Sequence, residues 1–179
     1  MSITDLGAAR FQMAFSLAFH MLFAAMGVAM PLLMFFAEGL YIKKGDEKYK
    51  RLAKTWAKAT GILFAVGAVS GTGLAFEMGL LWPKFMDFAG STLGPAFTME
   101  GYAFFTEAIF LGIYLYGWGR LRPEVHLRTL LPIMVAGLFG TFCILAVNAW
   151  MNAPAGFTQL PDGTITDVDA LTNAERALE

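Results

Sequence analysis

The sequence predicts an all-α fold, a polytopic transmembrane helical bundle with four membrane-spanning helices in this chain. Of its 179 residues, 57 % are hydrophobic and 15 % are charged, whereas a soluble domain carries about 25 % charged residues. The mean hydropathy is +0.57. Charged side chains are absent from the long stretches 11–37, 59–76 and 129–161, and a fourth stretch, 88–119, is interrupted only by Glu100 and Glu107.

Each stretch is long enough to cross a bilayer core of about 30 Å, which takes roughly 20 helical residues. The first is too long for the apolar region of a signal peptide and has neither a basic segment before it nor an Ala-x-Ala site after it. We therefore predict a four-helix transmembrane domain over residues 1–151, with helices at about 11–41, 53–80, 95–118 and 127–151. The polar residues 152–179, rich in proline and aspartate, predict an external loop cut short before a next helix.

The basic residues predict the orientation of these helices. Ten lysines and arginines lie in or beside the first and third connections, and three lie on the other side. By the positive-inside rule, both basic connections are cytoplasmic and the N-terminus is external. The net charge of −1 gives no indication of nucleic-acid binding. The single cysteine, Cys143, excludes an intrachain disulfide, and the absence of Cys-x-x-Cys-His excludes covalent haem attachment by this chain.

Polar residues inside a membrane are costly and usually face a cavity, a partner or a cofactor. Helix direction predicts that five such groups meet in the outer half of the bilayer. Glu107 lies about 10 Å deeper than Glu100 on nearly the same helical face, because seven residues separate them. The five groups are His20, Glu77, Glu100, Glu107 and Asn148.

His20 has small or thin neighbours on its own helical face, Met13, Ser16, Ala24 and Gly27. They would leave a flat slot for a porphyrin whose iron is bound by the imidazole. The alternative is a packed histidine, hydrogen-bonded to a neighbouring helix, with small residues serving only close packing. Gly67-x-x-x-Gly71 on the next helix also allows close helix contact.

Glu100 and Glu107 fit a proton relay, because carboxylic acids in a low-dielectric setting can pass protons along a face. They could equally pair with basic residues of other helices or stabilise contacts in an oligomer. Glu77 could simply be solvated near the interface, and Asn148 could bond a backbone carbonyl. These alternatives stay open from the residues alone.

Four segments together resemble subunit I of the cytochrome bd-type quinol oxidases, in order and spacing over residues 8–169. The form of the second segment, with Glu77 and the ending Leu-Leu-Trp-Pro, is more similar to the cyanide-insensitive branch. The two glutamates are seven residues apart here, where some members have eight. The four segments are 10–20, 76–83, 94–118 and 147–152.

The resemblance implies a function. In that family, the histidine matching His20 is an axial ligand of a high-spin haem iron, and which of the two high-spin haems it binds differs among members. The glutamates matching Glu100 and Glu107 are assigned to proton delivery from the cytoplasm, and Arg10 would be a partner of a haem propionate. The implied cofactors are haem b595 and either haem d or a second haem b. The ligands of the low-spin haem b lie outside this chain.

The resemblance further implies a nine-helix subunit in the bacterial cytoplasmic membrane. Its partners would be the remainder of subunit I, subunit II, membrane lipids, quinol and oxygen, and this part alone is not expected to be active. Two other classes of protein compete with this quinol:oxygen oxidoreductase. One is a non-redox membrane bundle, and the other is half of a transporter with Glu100 and Glu107 as coupling sites. A visible spectrum separates them, because only the oxidase predicts haem bands.

Overall fold

The computed structural model describes residues 3–155, 157–159, 161 and 165–166. Its helices are α1 (Ile3–Lys44), α2 (Glu47–Leu81), α3 (Pro83–Gly117), α4 (Pro123–Arg128) and α5 (Leu130–Asn152). Beyond α5, β1 (Thr158–Gln159) pairs antiparallel with β2 (Ile165–Thr166), with Thr158 opposite Thr166. Most of the predicted external loop, 152–179, lies outside the described residues.

The first three helices are longer than predicted, because each continues past its apolar stretch into polar sequence. The largest difference is at the start of α3, which was predicted near Pro95 and begins at Pro83. Pro83 holds the first helical position, where the missing N–H of proline costs no hydrogen bond, and Pro95 lies inside the helix. The predicted helix at 127–151 is also wrong in its first residues, since they belong to the short α4 and α5 starts at Leu130.

The connection between α1 and α2 is short and locally determined. Gly45 has a φ of 70°, a left-handed conformation that glycine adopts without the Cβ penalty. Asp46 then caps α2, since its carboxylate accepts a hydrogen bond from the Lys48 backbone N–H at 3.0 Å. α1 and α2 therefore run antiparallel and side by side.

The bundle consists of two helix pairs. α1 packs along α2, and α3 packs along α5, while contacts of α1 with α5 and of α2 with α3 join the pairs. The main apolar core lies near what we name the basic end of the bundle, the end with the α1–α2 connection and α4. Its buried residues are Met34, Ala57, Leu111, Tyr114, Leu130 and Ile133. A smaller cluster at the opposite end contains Ala89, Leu93 and Val147.

Three helical segments in the described residues are long and apolar enough to cross a membrane: Thr4–Lys44, Glu47–Leu81 and Pro123–Asn152. α3 is equally long as a helix, but its glutamates, tyrosines and glycines lower its hydropathy. Large apolar side chains cover the outside of the bundle, among them Phe11, Val69 and Leu80, each exposed by 74 to 77 %. An all-helical bundle with an apolar exterior is the architecture of a membrane protein.

Candidate functional site

His20 lies between α1 and α2, half-buried, with its ring against the α2 backbone. Ser70 Oγ donates a hydrogen bond to the Gly67 carbonyl at 3.1 Å and lies 3.0 Å from His20 Nδ1. With the hydroxyl hydrogen committed to Gly67, Ser70 Oγ accepts from the Nδ1–H of His20. The neutral ring then carries its lone pair on Nε2, which has no hydrogen-bond partner among the described residues.

Gly71 is what allows this close approach. A Cβ at Gly71 would lie 2.9 Å from His20 Cε1, whereas a Cβ at Gly67 would lie 3.5 Å from Phe23 Cβ. The predicted contact through Gly67-x-x-x-Gly71 is thus confirmed, and Gly71 is its tightest point. The same Cβ at Gly71 would lie 3.5 Å from His20 Nε2, so this edge of the ring faces the α2 backbone.

A cavity of about 150 Å³ adjoins His20 through Ser70 and has Glu77 at its rim. Glu77 Oε1 accepts hydrogen bonds from Ser16 Oγ at 2.7 Å and from Gln12 Nε2 at 3.3 Å. Glu77 Oε2 is buried without a partner. Glu77 is therefore held in the α1–α2 interface by side-chain hydrogen bonds as well as lying near the end of α2.

Glu100 and Glu107 lie half-buried on the other helix pair, against glycines of α5. Glu107 Oε1 is 2.7 Å from where a Cβ at Gly137 would stand, and Glu100 Cγ is 3.8 Å from one at Gly140. Val28 of α1 also reaches the Gly137 position, at 3.8 Å. In the described part of the chain neither glutamate forms an ion pair. The two carboxylates thus follow one face of α3, as their spacing predicts.

The predicted convergence of five polar groups is only partly met. His20 and Glu77 share the α1–α2 interface, while Glu100 and Glu107 lie in the α3–α5 interface. Asn148 and Arg10 are exposed on the outside of the bundle. The expected hydrogen bond from the Asn148 side chain to a backbone carbonyl stays a prediction, because the contact seen is from Asn152 Nδ2 to the Asn148 backbone carbonyl, at 2.8 Å.

The most enclosed polar group was not predicted at all. Glu38 of α1 and His126 of α4 are 1 % and 2 % exposed, and His126 Nδ1 lies 2.6 Å from Glu38 Oε1. His126 Nε2 lies 2.8 Å from the Tyr114 carbonyl. The imidazole is stacked on Tyr114 at 4.4 Å between ring centroids and is covered by Trp118 at 4.3 Å.

A signal for this Glu38–His126 pair exists in the sequence, but it is weak. Glu38 follows an uncharged run directly and precedes the lysines, so it resembles an interfacial charge. His126 stands in a polar connection among Arg122, Glu124 and Arg128. The two side chains meet only because α4 folds back onto α1.

The residues around His20 fit an iron-bound haem. Ligating histidines typically donate their second ring N–H to a neighbouring acceptor, which fixes the tautomer and the ring plane. Ser70 Oγ serves as that acceptor here, and Nε2 keeps the lone pair that a haem iron requires.

The fold and these groups define a helical membrane protein with a ligand-ready histidine and buried carboxylates. Residues 8–177 match the family described as cytochrome bd terminal oxidase subunit I, and the chain belongs to that family. This membership confirms the resemblance predicted from the four segments, and the apolar helices agree with a membrane protein.

The chain is similar to a Bacillus subtilis (strain 168) protein provisionally named a cytochrome bd menaquinol oxidase subunit I, with 39 % identity over 92 % of this chain and 37 % of the relative. It is 35 % identical to the cytochrome bd ubiquinol oxidase subunit 1 of the same organism, over 87 % of this chain and 34 % of that protein. The solved bd oxidase of Geobacillus thermodenitrificans matches 94 % of this chain and 39 % of its own, with a TM-score of 0.86 and 37 % identity. The chain thus spans little more than a third of the proteins it matches.

Proposed function

We propose that this chain supplies part of the haem-bearing subunit of a terminal quinol oxidase, which oxidises quinol at the external side and reduces oxygen to water with protons from the cytoplasm. The observation that carries this proposal is the hydrogen-bond chain from His20 Nδ1 to Ser70 and Gly67, which leaves Nε2 ready to bind iron. When bound, the haem supplies the redox-active iron for oxygen reduction.

His20 is the axial ligand of a high-spin haem in this proposal. Its partners set the tautomer, and Gly71 sets the distance between the imidazole and α2. Family membership supports a high-spin pair made of haem b595 and either haem d or a second haem b. Arg10, exposed near the outer end of α1, would pair with a propionate on that side.

Glu100 and Glu107 are the proton relay. Both are half-buried, both contact α5 at glycines, and they lie about 10 Å apart along α3 by helical rise. A carboxyl group that is held in place without an ion-pair partner can exist in both protonation states, and a relay requires that. Glu107, on the side of the basic end, receives the proton and Glu100 passes it towards the haem level.

The topology that serves this function has four spans, α3 included, with the basic end in the cytoplasm and the N-terminus outside. The length of α3 and its packing along α5 support a fourth span. Residues 1–151 would form the transmembrane bundle, and residues 152–179 an external loop. The remainder of subunit I, subunit II and lipids would cover the exposed apolar side chains.

The experiment is the substitution His20→Ala in the complete oxidase complex, read by reduced-minus-oxidised spectra. We expect loss of one high-spin haem signature with the low-spin haem retained. Met21→Ala is the matched control, because Met21 is 60 % exposed and adjacent in sequence. Two intact high-spin haems in the His20 variant would refute the ligand assignment.

The relay is tested separately with Glu107→Gln and Glu100→Gln in the same complex. The amide keeps the shape of the side chain but cannot carry a proton, so turnover should fall roughly 10²-fold with haem retained. Oxygen consumption per haem and proton uptake in a single turnover measure this. Unchanged rates in both variants, with intact haems, would leave the glutamates with a structural role.

A further inference from the structure

The Glu38–His126 pair has a proton arrangement that its hydrogen bonds determine. His126 Nε2 faces a carbonyl oxygen at 2.8 Å, and a carbonyl can only accept, so Nε2 carries a hydrogen. The 2.6 Å contact between Nδ1 and Glu38 Oε1 therefore holds one proton, either on the nitrogen or on the oxygen. In both forms the pair is neutral overall, which is the form that burial favours.

The pair also has room for a second proton. Glu38 Oε2 and the Tyr114 hydroxyl are both buried, and neither has a hydrogen-bond partner within 3.5 Å, although the two side chains lie near enough for a longer hydrogen-bond interaction with each other. A second proton would go to Oε2 while His126 keeps both ring hydrogens, which gives the loaded pair one positive charge. Burial disfavours that charge, so the pair would hold the second proton only transiently. Leaving two polar atoms unpaired in a core is costly, so packing alone gives no reason for them.

The pair is accessible from the basic end through Trp118. A cavity of about 300 Å³ is lined by Lys54, Thr55, Ala57, Lys58, Leu115 and Trp118. Trp118 lines this cavity, and its indole ring also lies 4.3 Å from the His126 ring, so one side chain contacts both the cavity and the imidazole. Gly117 lets the imidazole approach, because a Cβ there would lie 2.9 Å from His126 Cδ2.

On the other side, the pair leads towards the relay. Tyr114 is seven residues beyond Glu107 on α3, which repeats the spacing from Glu100 to Glu107 and keeps all three near one face, about 10 Å apart. Leu111 and Ile133 lie in the core between them, so water must carry the proton across this layer. Pro31 inside α1 leaves the Gly27 carbonyl without its helical N–H, which provides an acceptor for such water near Val28.

We propose that Glu38, His126 and Tyr114 form a proton-loading site at the basic end of the bundle, from which protons reach Glu107. The proposal rests on the proposed function, because it extends the relay towards the cytoplasm. Water on the Lys54 side gives a proton to the pair, Glu38 Oε2 holds it as the second proton, and the Tyr114 hydroxyl hands it to water on the Glu107 side. The pair then returns to one shared proton, and no electron moves.

The test is Glu38→Gln in the complete oxidase, with proton uptake followed in a single turnover. The glutamine amide can donate a hydrogen bond to His126 Nδ1 and so keep the two side chains hydrogen-bonded, but it cannot take a second proton. We expect intact haems and proton uptake slowed at least about tenfold. Glu124→Gln is the matched control, because Glu124 is an exposed carboxylate on the same short helix, and it should keep the wild-type rate.

Two further variants, Tyr114→Phe and Glu107→Gln, distinguish a failure of the loading site from a failure of the relay. Tyr114→Phe removes only the hydroxyl and should also slow uptake, which keeps the proposal testable if the Glu38 variant fails to assemble. Wild-type uptake in Glu38→Gln or in Tyr114→Phe, alongside slow uptake in Glu107→Gln, would overturn the loading site and leave the relay standing. Wild-type uptake in all three would overturn the relay itself and the loading site with it.

Discussion

Gly71→Ala is the most direct test of how the bundle positions His20. The new Cβ would lie 2.9 Å from His20 Cε1, and ordinary contact begins at 3.4 Å. The ring or the helix must therefore move by about 0.5 Å, which is the tolerance within which functional groups are usually held. Overpacking of this kind costs about 1–3 kcal/mol when the neighbours cannot yield.

The imidazole cannot move freely, because Ser70 holds Nδ1. A displaced ring should bind the high-spin haem less tightly, so we expect lower high-spin haem occupancy per complex, with the low-spin haem unchanged. Haem content and reduced-minus-oxidised spectra of the purified complex measure this. Gly79→Ala is the control, since a Cβ there meets nothing within 4 Å. Full high-spin haem content in Gly71→Ala would refute the inferred role of this glycine.

Three further predictions follow from the structure. Gly137→Ala should slow turnover without loss of haem, because its Cβ would lie 2.7 Å from Glu107 Oε1 and would displace the carboxylate; wild-type oxygen consumption would count against the relay geometry. For topology, a thiol reagent added outside whole cells should label Ala153→Cys and not Lys48→Cys, and the reverse pattern would mean the opposite orientation. The backbone N–H of Lys48 holds the pKa of Asp46 below its ordinary value of 3.8. The cap therefore contributes its full stability above that pH, and this contribution is lost as the pH falls through the lowered pKa. Asp46→Ala should accordingly lower the Tm at pH 7, with a difference that shrinks in acid; a difference independent of pH would exclude the carboxylate as its cause.

The sequence predicted the helical bundle and three of the helices that can cross a membrane, because apolar length is a local property of the chain. The starts of helices were predicted less well. The start of α3 was predicted near Pro95, although Pro83 carries the same signal of a proline at a first helical position. Glu77 lies on α2, and Glu100 and Glu107 lie on α3, as predicted. Their distribution over two interfaces depends on which helices become neighbours.

The Glu38–His126 pair lies beyond what a sequence pattern can indicate. The two residues are 88 positions apart, and each is unremarkable among its neighbours along the chain. Their importance comes from burial, which is a property of three elements packed together. Charged residues beside a basic connection are normally solvated, so neither residue taken alone indicates a buried pair.

The division into two helix pairs has a consequence for combined substitutions. Changes around His20 act on the α1–α2 interface and changes around Glu107 act on the α3–α5 interface, so their free-energy effects should mostly add. Within the described residues, the stacked rings of Phe64 and Phe104 join α2 to α3, and Val28 joins α1 to the Gly137 position. Double-mutant cycles across these two junctions should therefore show the coupling energy through which the haem ligand and the proton path influence each other.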